Sequence, residues 1–261
     1  MNLFDLSGKR ALITGGTHGL GMAIASGLAD AGAELIINGH TPEKMDAAIA
    51  WYRAQGYTAH GYLFDVTDSP GVKNAVDRIE QEQGPIDILV NNAGIIKRVP
   101  ALDMEVADFR QVIDIDLVAP FIVSQHVGRY MVQRRSGKII HICSMMSELG
   151  RNTVSAYAAA KGGLKMLTKN LATEWAKYNI QVNGIGPGYF ATEQTAPIRV
   201  NGHPFNDFII NRTPAARWGD PDDLRGTAIF LASRASDFIQ GQIIYVDGGI
   251  LATIGKPTNE A

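Results

Sequence analysis

The chain has 261 residues, of which 46% are hydrophobic and 19% charged, and its formal net charge is −2. This composition supplies a sizeable core and offers no electrostatic support for binding nucleic acid or an anionic membrane. A single cysteine, Cys143, excludes a disulfide framework, and with no signal-peptide core or membrane-length apolar run it leads us to expect a cytoplasmic protein.

Apolar runs recur along the chain and predict seven strands. They are RALIT (10–14), ELIIN (34–38), GYLFD (61–65), IDILV (86–90), KIIHI (138–142), IQVNGI (180–185) and QIIYVD (242–247). Helical stretches such as GLGMAIASGLADAG and PEKMDAAIAWYRAQG lie between them. The runs are continuously apolar, which is typical of a parallel sheet covered by helices on both faces. We therefore expect one doubly wound α/β domain over residues 1–261.

The loop after the first predicted strand is rich in glycine. TGGTHGLG (14–21) places Gly15, Gly19 and Gly21 between that strand and the first helix. Glycine allows the backbone to turn tightly and to approach a pyrophosphate, which the N-terminus of the helix attracts. In this context the pattern favours a dinucleotide site in a Rossmann-type fold over a purely structural turn.

The second predicted strand ends without the acid that often binds the ribose hydroxyls of a dinucleotide. Gly39 and His40 stand at that place. An acid there would repel a 2′-phosphate, so its absence favours NADP(H), with NAD(H) possible. Charge or hydrogen bonds could come from His40, Thr41, Lys44 and His18. The alternative for His40 and Lys44 is a solvated surface turn.

Two later segments carry further signals. Residues 187–218 hold four prolines and form the longest irregular region, so we expect a substrate loop or lid near 188–218. SAYAAAKGG (155–163) predicts a helix with Tyr157 and Lys161 one turn apart on one face. An ammonium beside a phenol favours the phenolate, as acid/base chemistry requires, whereas two groups facing water would do little.

Five motifs in order resemble the short-chain dehydrogenase/reductase family over nearly the whole chain. They are TGGTHGLG, NNAG (91–94), CSMMSELG, the Tyr157-x-x-x-Lys161 pair and PGYFAT (187–192), with Ser144 thirteen residues before Tyr157. The resemblance implies that Tyr157 exchanges a proton with the alcohol or carbonyl oxygen of a substrate. It implies that Lys161 assists the tyrosine and binds the nicotinamide ribose, and that Ser144 hydrogen-bonds the reacting oxygen.

The resemblance also implies the residues that hold the cofactor. They are Gly15, Thr17, His18, Gly19, Leu20 and Gly21 in the first loop, Gly39, His40, Asp65 and Val66 on the adenine side, Asn92, Ala93 and Gly94 with the neighbouring Asn91 near the adenosine ribose, and Tyr157, Lys161, Pro187, Gly188 and Thr192 around the nicotinamide.

One position departs from the family pattern. The family usually has an asparagine in a pattern like N-L-x-x-x-F, whereas this chain reads DLVAPF, with Asp116 at that place. Either Asp116 takes over the role of the asparagine in a proton relay, or the relay is built differently. The alternative is a helix residue that simply pairs with a nearby lysine.

Longer stretches, such as YAAAKGGLKMLTKN and TPAARWGDPDDL, resemble the sugar-acid branch of the family, the gluconate 5-dehydrogenases. This resemblance implies interconversion of D-gluconate and 5-keto-D-gluconate by a homotetramer whose interface includes the C-terminal stretch. Another sugar-acid or polyol dehydrogenase, such as a deoxygluconate dehydrogenase, and a non-catalytic nucleotide-sensing protein are the alternatives. No clustered spacing of metal ligands is present, so we expect no metal site.

A sugar acid needs a cation for its carboxylate and polar groups for its hydroxyls. Arg98, with Lys97, follows NNAG at the expected ligand edge of the sheet, and arginine can bind a carboxylate through two parallel hydrogen bonds. Glu148 and Gln194 could bind hydroxyls, beside Ser144 and Tyr157. The alternatives are an exposed loop pair for Lys97 and Arg98 and a surface residue for Glu148.

Overall fold

The computed structural model describes residues 3–255, and within them seven strands form one parallel sheet. The strands are β1 (Arg10–Ile13), β2 (Glu34–Gly39), β3 (Ala59–Leu63), β4 (Ile88–Asn91), β5 (Gly137–Ile142), β6 (Ile180–Pro187) and β7 (Ile243–Val246). Their order across the sheet is β3-β2-β1-β4-β5-β6-β7. From β1 the chain adds β2 and β3 on one side and then β4 to β7 on the other, so the order of the strands switches between β1 and β4. Such a switch point opens a ligand crevice at the carboxyl ends of the strands.

Helices cover both faces of the sheet, as the sequence predicts. Among the described residues they are α1 (Gly19–Asp30), α2 (Pro42–Ala54), α3 (Ser69–Glu82), α4 (Val106–Ile113), α5 (Ala119–Arg134), α6 (Ser155–Trp175), α7 (Pro204–Arg212) and α8 (Arg225–Ala232). Neighbouring residues of β1 point to opposite faces: Ile13 packs with α1, α2 and α8, whereas Leu12 packs with α3 and α5. The predicted doubly wound parallel sheet with helices on both faces is therefore confirmed.

Burial of the strands depends on their place in the sheet. All residues of β4 and β6 are buried, whereas every residue of β7 and several of β3 are partly exposed. β3 and β7 are the two edge strands, so each has a neighbour on one side only. The expectation of continuous burial is therefore right for the interior strands and wrong for the edges.

The third strand begins and ends two residues earlier than its apolar run. β3 pairs with β2 from Leu35↔Ala59 to Gly39↔Leu63, so its end is set by the end of β2. Phe64 and Asp65 consequently lie in the connection after the strand. This shift brings Asp65 to the carboxyl edge of the sheet, beside the crevice.

The proline-rich region 187–218 is more regular than the sequence predicts. It contains a 3₁₀ turn (Glu193–Ile198) and α7, which starts with Pro204 at its first position. An isolated parallel bridge joins Phe190 to Gly219 at the base of the segment.

Within residues 3–255 no helix is both long enough and apolar enough to cross a membrane.

Candidate active site

The glycine-rich loop turns sharply between β1 and α1. Gly15 and Gly19 have φ values of 62° and 59°, a conformation that favours glycine. A Cβ on Gly21 would lie 2.5 Å from the carbonyl oxygen of Gly15, so the helix can start this close to the loop only with glycine there. His18, at the N-cap, gives the first turn no side-chain hydrogen bond. The first-turn N–H groups are thus not capped by His18, which fits a pyrophosphate.

The NNAG segment ties the end of β4 to the glycine loop. The Asn92 amide donates to the carbonyl oxygens of Thr14 (3.0 Å) and Gly15 (2.9 Å). The backbone N–H groups of Asn92 and Ala93 both donate to Thr14 Oγ1, at 3.0 and 3.1 Å. The Asn92 side chain is therefore used inside the protein, and it shapes the loop that faces the crevice.

Asp65, Val66 and His40 are the residues that the sequence predicts on the adenosine side of the crevice. Asp65 Oδ1 accepts hydrogen bonds from the backbone N–H (2.8 Å) and hydroxyl (2.7 Å) of Thr67. These bonds, with a smaller contribution from nearby His40, lower the pKa of the Asp65 carboxyl below its ordinary value. The donors and acceptors present here suit an adenosine.

The end of β2 packs closely against the glycine loop. A Cβ on Gly39 would lie 2.9 Å from Thr17 Cγ2, whereas His40, the next residue, is exposed. An acidic side chain at position 39 would thus be excluded sterically as well, because any side chain there would have to displace Thr17. A phosphate on the adenosine ribose would meet no carboxylate from Gly39 or His40.

Ser144 and the Lys161 ammonium both lie at the carboxyl end of β5, and Tyr157 lies one helical turn before Lys161. Ser144 follows this strand, and its Oγ accepts a hydrogen bond from Met146 N at 3.1 Å. Tyr157 lies in the first turn of α6, with Lys161 one turn later. The Lys161 Nζ lies 5.5 Å from the centroid of the Tyr157 ring and donates to the carbonyl oxygen of Ile142 at 2.9 Å. Lys161 is only 4% exposed, so the pair does not form a solvated helix face.

Asp116 reaches the same cluster from the opposite direction. It lies in a π-helical turn (Asp114–Val118) between α4 and α5 and is fully buried. One carboxylate oxygen is 3.2 Å from Lys161 Nζ, and the other accepts the backbone N–H of Ile95 at 2.8 Å. Asp116 is indeed paired with a lysine, and that lysine is the one beside Tyr157.

The residues predicted to bind the substrate differ in their exposure and in the partners that they already have. Arg98 is exposed and has no hydrogen bond or ion pair with the residues that the structure describes, whereas Lys97 is ion-paired with Asp108. Glu148 binds Lys165 Nζ at 2.7 Å and accepts the Tyr245 hydroxyl at 2.6 Å. Of the two neighbours, Lys97 thus already has an ion-pair partner, whereas Arg98 has none among the described residues. Glu148 already has two partners.

The Gln194 side chain lies outside the described residues, so its predicted contact with a substrate hydroxyl has no structural counterpart here.

The segment after β6 closes over this region with aromatic side chains. The Tyr189 ring packs edge-on against Phe205 (5.7 Å) and Trp218 (5.8 Å). Arg151 donates to the Tyr189 hydroxyl at 3.1 Å and stacks over Phe205. Tyr189 also belongs to the apolar cluster that contains Tyr157. The segment predicted as a lid is therefore anchored beside Tyr157.

The residues predicted around the nicotinamide lie where the same segment leaves β6. Gly188 N donates to Val246 O at 2.9 Å, directly after Pro187, and so fixes the chain against β7. Thr192 caps the following 3₁₀ turn together with Thr195. These bonds hold Pro187, Gly188 and Thr192 on one stretch at the carboxyl edge.

A buried polar network below the site was missed by the sequence analysis. Asn91 Nδ2 donates to Ser124 Oγ (2.9 Å), and Ser124 Oγ lies 3.2 Å from His141 Nε2. His141 Nδ1 lies 2.9 Å from Thr168 Oγ1, whose hydroxyl donates to the carbonyl oxygen of Leu164. The Thr168 hydroxyl hydrogen is thus in use, so Nδ1 carries the proton and Nε2 accepts from Ser124. The one signal in the sequence is a histidine inside the apolar run KIIHI.

Within residues 3–255 no group of three or more His, Cys, Asp or Glu side chains could hold a metal ion.

Comparison with known proteins identifies the family. A family model described as short chain dehydrogenase matches residues 9–201, which is well over half of the chain. The chain belongs to the short-chain dehydrogenase family. The resemblance carried by the five motifs is confirmed, and the loop, crevice and tyrosine–lysine pair of this short-chain dehydrogenase lie on one edge of its sheet.

Relatives of this short-chain dehydrogenase act on sugar acids according to their names. The chain is 70% identical over its full length, and 99% of the relative's, to 2-dehydro-3-deoxy-D-gluconate 5-dehydrogenase of Formosa agariphila. It is 48% identical over 97% of its length, and 99% of the relative's, to 5-keto-D-gluconate 5-reductase of Escherichia coli.

A solved structure shows the same fold. It is a gluconate 5-dehydrogenase from Burkholderia cenocepacia in complex with NADP and tartrate, with a TM-score of 0.93 and 47% identity over 97% of this chain and 98% of that one. The predicted similarity to gluconate 5-dehydrogenases is therefore confirmed.

Proposed function

We propose that this short-chain dehydrogenase is an NADP(H)-dependent oxidoreductase that interconverts the C5 hydroxyl of a gluconate-type sugar acid with the corresponding ketone. The observation that carries the proposal is the buried ammonium of Lys161, one helical turn from Tyr157 and hydrogen-bonded to Ile142, two residues before Ser144. Such an arrangement suits proton exchange with an alcohol or carbonyl oxygen. The names of the relatives supply the substrate class.

The cofactor, when bound, supplies or accepts the hydride. The protein's own residues handle the proton and the reacting oxygen. The Tyr157 hydroxyl gives its proton to the ketone during reduction, or takes one from the alcohol during oxidation. Ser144 Oγ already accepts from Met146 N, so its hydroxyl hydrogen is left to donate to the reacting oxygen. The positive charge of Lys161 favours the phenolate form that oxidation needs.

The preference for NADP(H) follows from the end of β2. Gly39 contributes no carboxylate there, and His40, which is exposed, would meet the 2′-phosphate. The glycine loop, with Thr17 to Gly21 at the start of α1, would bind the pyrophosphate. Asp65 and Val66 would flank the adenine. The NADP bound to the Burkholderia relative, which is 47% identical, supports this choice.

The substrate carboxylate would bind Arg98. This guanidinium is exposed and without a partner among the described residues, and it follows NNAG at the carboxyl edge of the sheet. For Glu148 to bind a hydroxyl, it would have to share or give up its bonds to Lys165 and Tyr245. We propose Arg98 as the main substrate anchor for this reason.

Two sugar acids share the chemistry proposed here. The 70% identity favours 2-dehydro-3-deoxy-D-gluconate, and the 48% identity brings in the pair of D-gluconate and 5-keto-D-gluconate. Both carry a carboxylate for Arg98 and an oxidisable C5 hydroxyl. We further propose a cytoplasmic homotetramer, since the only cysteine is free and apolar side chains are exposed on the surface.

The proposal is tested by following NADPH absorbance with the purified chain. We expect NADP⁺ reduction with both sugar acids, NADPH oxidation with 5-keto-D-gluconate, and at least about tenfold lower efficiency with NAD(H), since a site built for the 2′-phosphate leaves its groups unpaired otherwise. An uncharged polyol is the control substrate: it has no carboxylate for Arg98 to bind, and it should react far more slowly. Turnover of none of these substrates would contradict the proposal and favour a nucleotide-sensing protein.

A further inference from the structure

Arg151 is a partly buried cation with no carboxylate beside it. It lies in the connection between β5 and α6, six residues before Tyr157. One of its N–H groups donates to the Tyr189 hydroxyl at 3.1 Å, and its guanidinium carbon lies 4.6 Å from the centroid of the Phe205 ring. Among the described residues it has no ion pair and no second acceptor. A guanidinium carries five N–H donors, so most of those of Arg151 are available to a ligand.

Stacking on an aromatic ring does not by itself leave an arginine without an anion. Arg78 on α3 stacks over the Tyr62 ring at 4.7 Å and is also ion-paired with Glu82 at 3.7 Å. Arg151 has the ring and lacks the carboxylate. Its surroundings thus hold the guanidinium in place and leave its charge unbalanced by any described side chain.

The Tyr189 hydroxyl is made a donor by the same contact. Its oxygen accepts from Arg151, and its hydrogen has no acceptor among the described residues. The Tyr189 ring packs edge-on against Phe205 and Trp218, and the Trp218 indole N–H donates to Asn206 Oδ1 at 2.8 Å. The hydroxyl is therefore fixed in position with its hydrogen free to donate to a ligand.

These donors belong to the part of the molecule that carries the candidate proton donor. The rings of Tyr157 and Tyr189 pack against the same buried cluster, which consists of Met145, Met146, Val154 and Ile250. Tyr189 also follows directly on β6, at the carboxyl edge of the sheet. A sugar acid with its reacting carbon at Tyr157 can therefore extend its other end towards Tyr189 and Arg151.

The loop that carries Arg151 is joined to the loop that carries Arg98. The backbone N–H of Val99 donates to the carbonyl oxygen of Thr153 at 2.9 Å. Thr153 has a φ of 71°, a conformation that β-branched residues rarely adopt and that persists only where the surroundings hold it. Arg98 and Arg151, neither of which has an anion among the described residues, therefore lie on two adjoining loops.

We propose that Arg151 is a specificity-determining residue that, together with the Tyr189 hydroxyl, binds the substrate carboxylate and shares it with Arg98. A carboxylate accepts about four hydrogen bonds, which is enough for both guanidiniums and the phenol. All three groups are donors, so an uncharged amide in the same place would turn its own NH₂ donor towards them. The proposal rests on the proposed function for the class of substrate.

The first test compares the kinetics of Arg151→Ala with D-gluconate and with D-gluconamide, an uncharged compound with the same carbon chain. With D-gluconate, kcat/KM should fall about ten- to a hundredfold, mainly through a higher KM, because a charged hydrogen-bond partner is lost. With D-gluconamide, kcat/KM should change less than about threefold. A similar fall with both compounds would overturn the proposal, because it would show that Arg151 only holds the loop in place.

Two further variants complete this test. Tyr189→Phe keeps the aromatic packing and removes only the hydroxyl, so it probes the same subsite even if Arg151→Ala fails to fold. It should raise the KM for D-gluconate about tenfold, and an unchanged KM would overturn the proposal. The matched control is Arg78→Ala, which removes a stacked arginine away from the site and should leave both substrates unaffected.

A binding measurement separates this proposal from the proposed function. Isothermal titration of D-gluconate into the chain loaded with NADPH, which cannot oxidise it, measures affinity without turnover. We expect Arg151→Ala to bind D-gluconate about ten- to a hundredfold more weakly than the wild type. A wild-type chain that binds D-gluconate through Arg151 and turns over no sugar acid would overturn the proposed function alone. Equal affinities would overturn the role of Arg151 alone, and a wild-type chain that does not bind D-gluconate would overturn both.

Discussion

Individual residues differ in how far the sequence predicts their surroundings. The spacing of Tyr157 and Lys161 predicts a shared helix face, and the structure places them together. The partners of the acidic residues depend on chain segments far apart in sequence. Asp116 meets Ile95 and Glu148 meets Tyr245, and no local pattern encodes contacts of this kind.

His141 is a residue whose chemistry follows from burial alone. Burial, with a smaller effect of Lys161, lowers its pKa to about 3. In the unfolded chain a histidine titrates near about 6.5. Between about pH 3 and about pH 6.5, therefore, His141 is protonated in the unfolded chain and stays neutral in the folded protein. The stability that depends on neutral His141 is fully present above about pH 6.5 and is lost as the pH falls towards 3.

We expect His141→Asn to reduce this acid sensitivity. The loss in the wild type should approach roughly 1.4 kcal/mol per pH unit below about pH 6. The variant should be less stable than the wild type at pH 7.5, because its Ser124 and Thr168 partners lose their imidazole, yet the difference should shrink towards pH 5. Urea unfolding at both pH values measures this difference. A gap that stays constant would show that His141 does not titrate as described.

At the scale of elements, strand identities were predictable and their exact ends were not. The end of β3 follows from pairing with β2, which a single apolar run does not reveal. The prolines of region 187–218 predict an irregular segment. One of them, Pro204, instead opens α7, where proline suits the first helical position, and His203 caps the helix by accepting from Phe205 N.

The polar network joins four elements that sequence reasoning treats separately. β4 and β5 are neighbours with Asn91 opposite His141, and Ser124 of α5 and Thr168 of α6 complete the chain of hydrogen bonds. Three of the hydrogen bonds join different elements, and the fourth, from the Thr168 hydroxyl to the carbonyl oxygen of Leu164, lies within α6. The network fixes α5 and α6 on the sheet near Ser144, so the position of the candidate catalytic residues depends on it.

At the scale of the whole molecule, several surfaces suggest assembly. β7 is a partly exposed edge strand, and apolar side chains are exposed along α4, the π turn, α5 and α6. They are Val106, Phe109, Val118, Phe121 and Met166. Exposed apolar surfaces and open strand edges are normally covered in stable proteins.

We therefore predict a homotetramer, with a mass near four chains of 28.2 kDa by light scattering at micromolar concentration. A monomer under those conditions would contradict the assembly while leaving the proposed chemistry untouched, because all of the candidate catalytic side chains come from one chain.

The most direct measurement of the central claim compares the wild-type chain with Tyr157→Phe. The substitution removes one oxygen and keeps the ring that packs against the apolar cluster of Met145, Met146, Val154 and Ile250. We expect the rate of NADPH oxidation with 5-keto-D-gluconate to fall by about a hundred- to ten-thousand-fold, since this is the usual cost of losing a general acid. NADPH binding, followed by cofactor fluorescence, should change less than about threefold, a factor worth under one kcal/mol. A variant that keeps more than about a tenth of the wild-type rate would show that Tyr157 is not the proton donor.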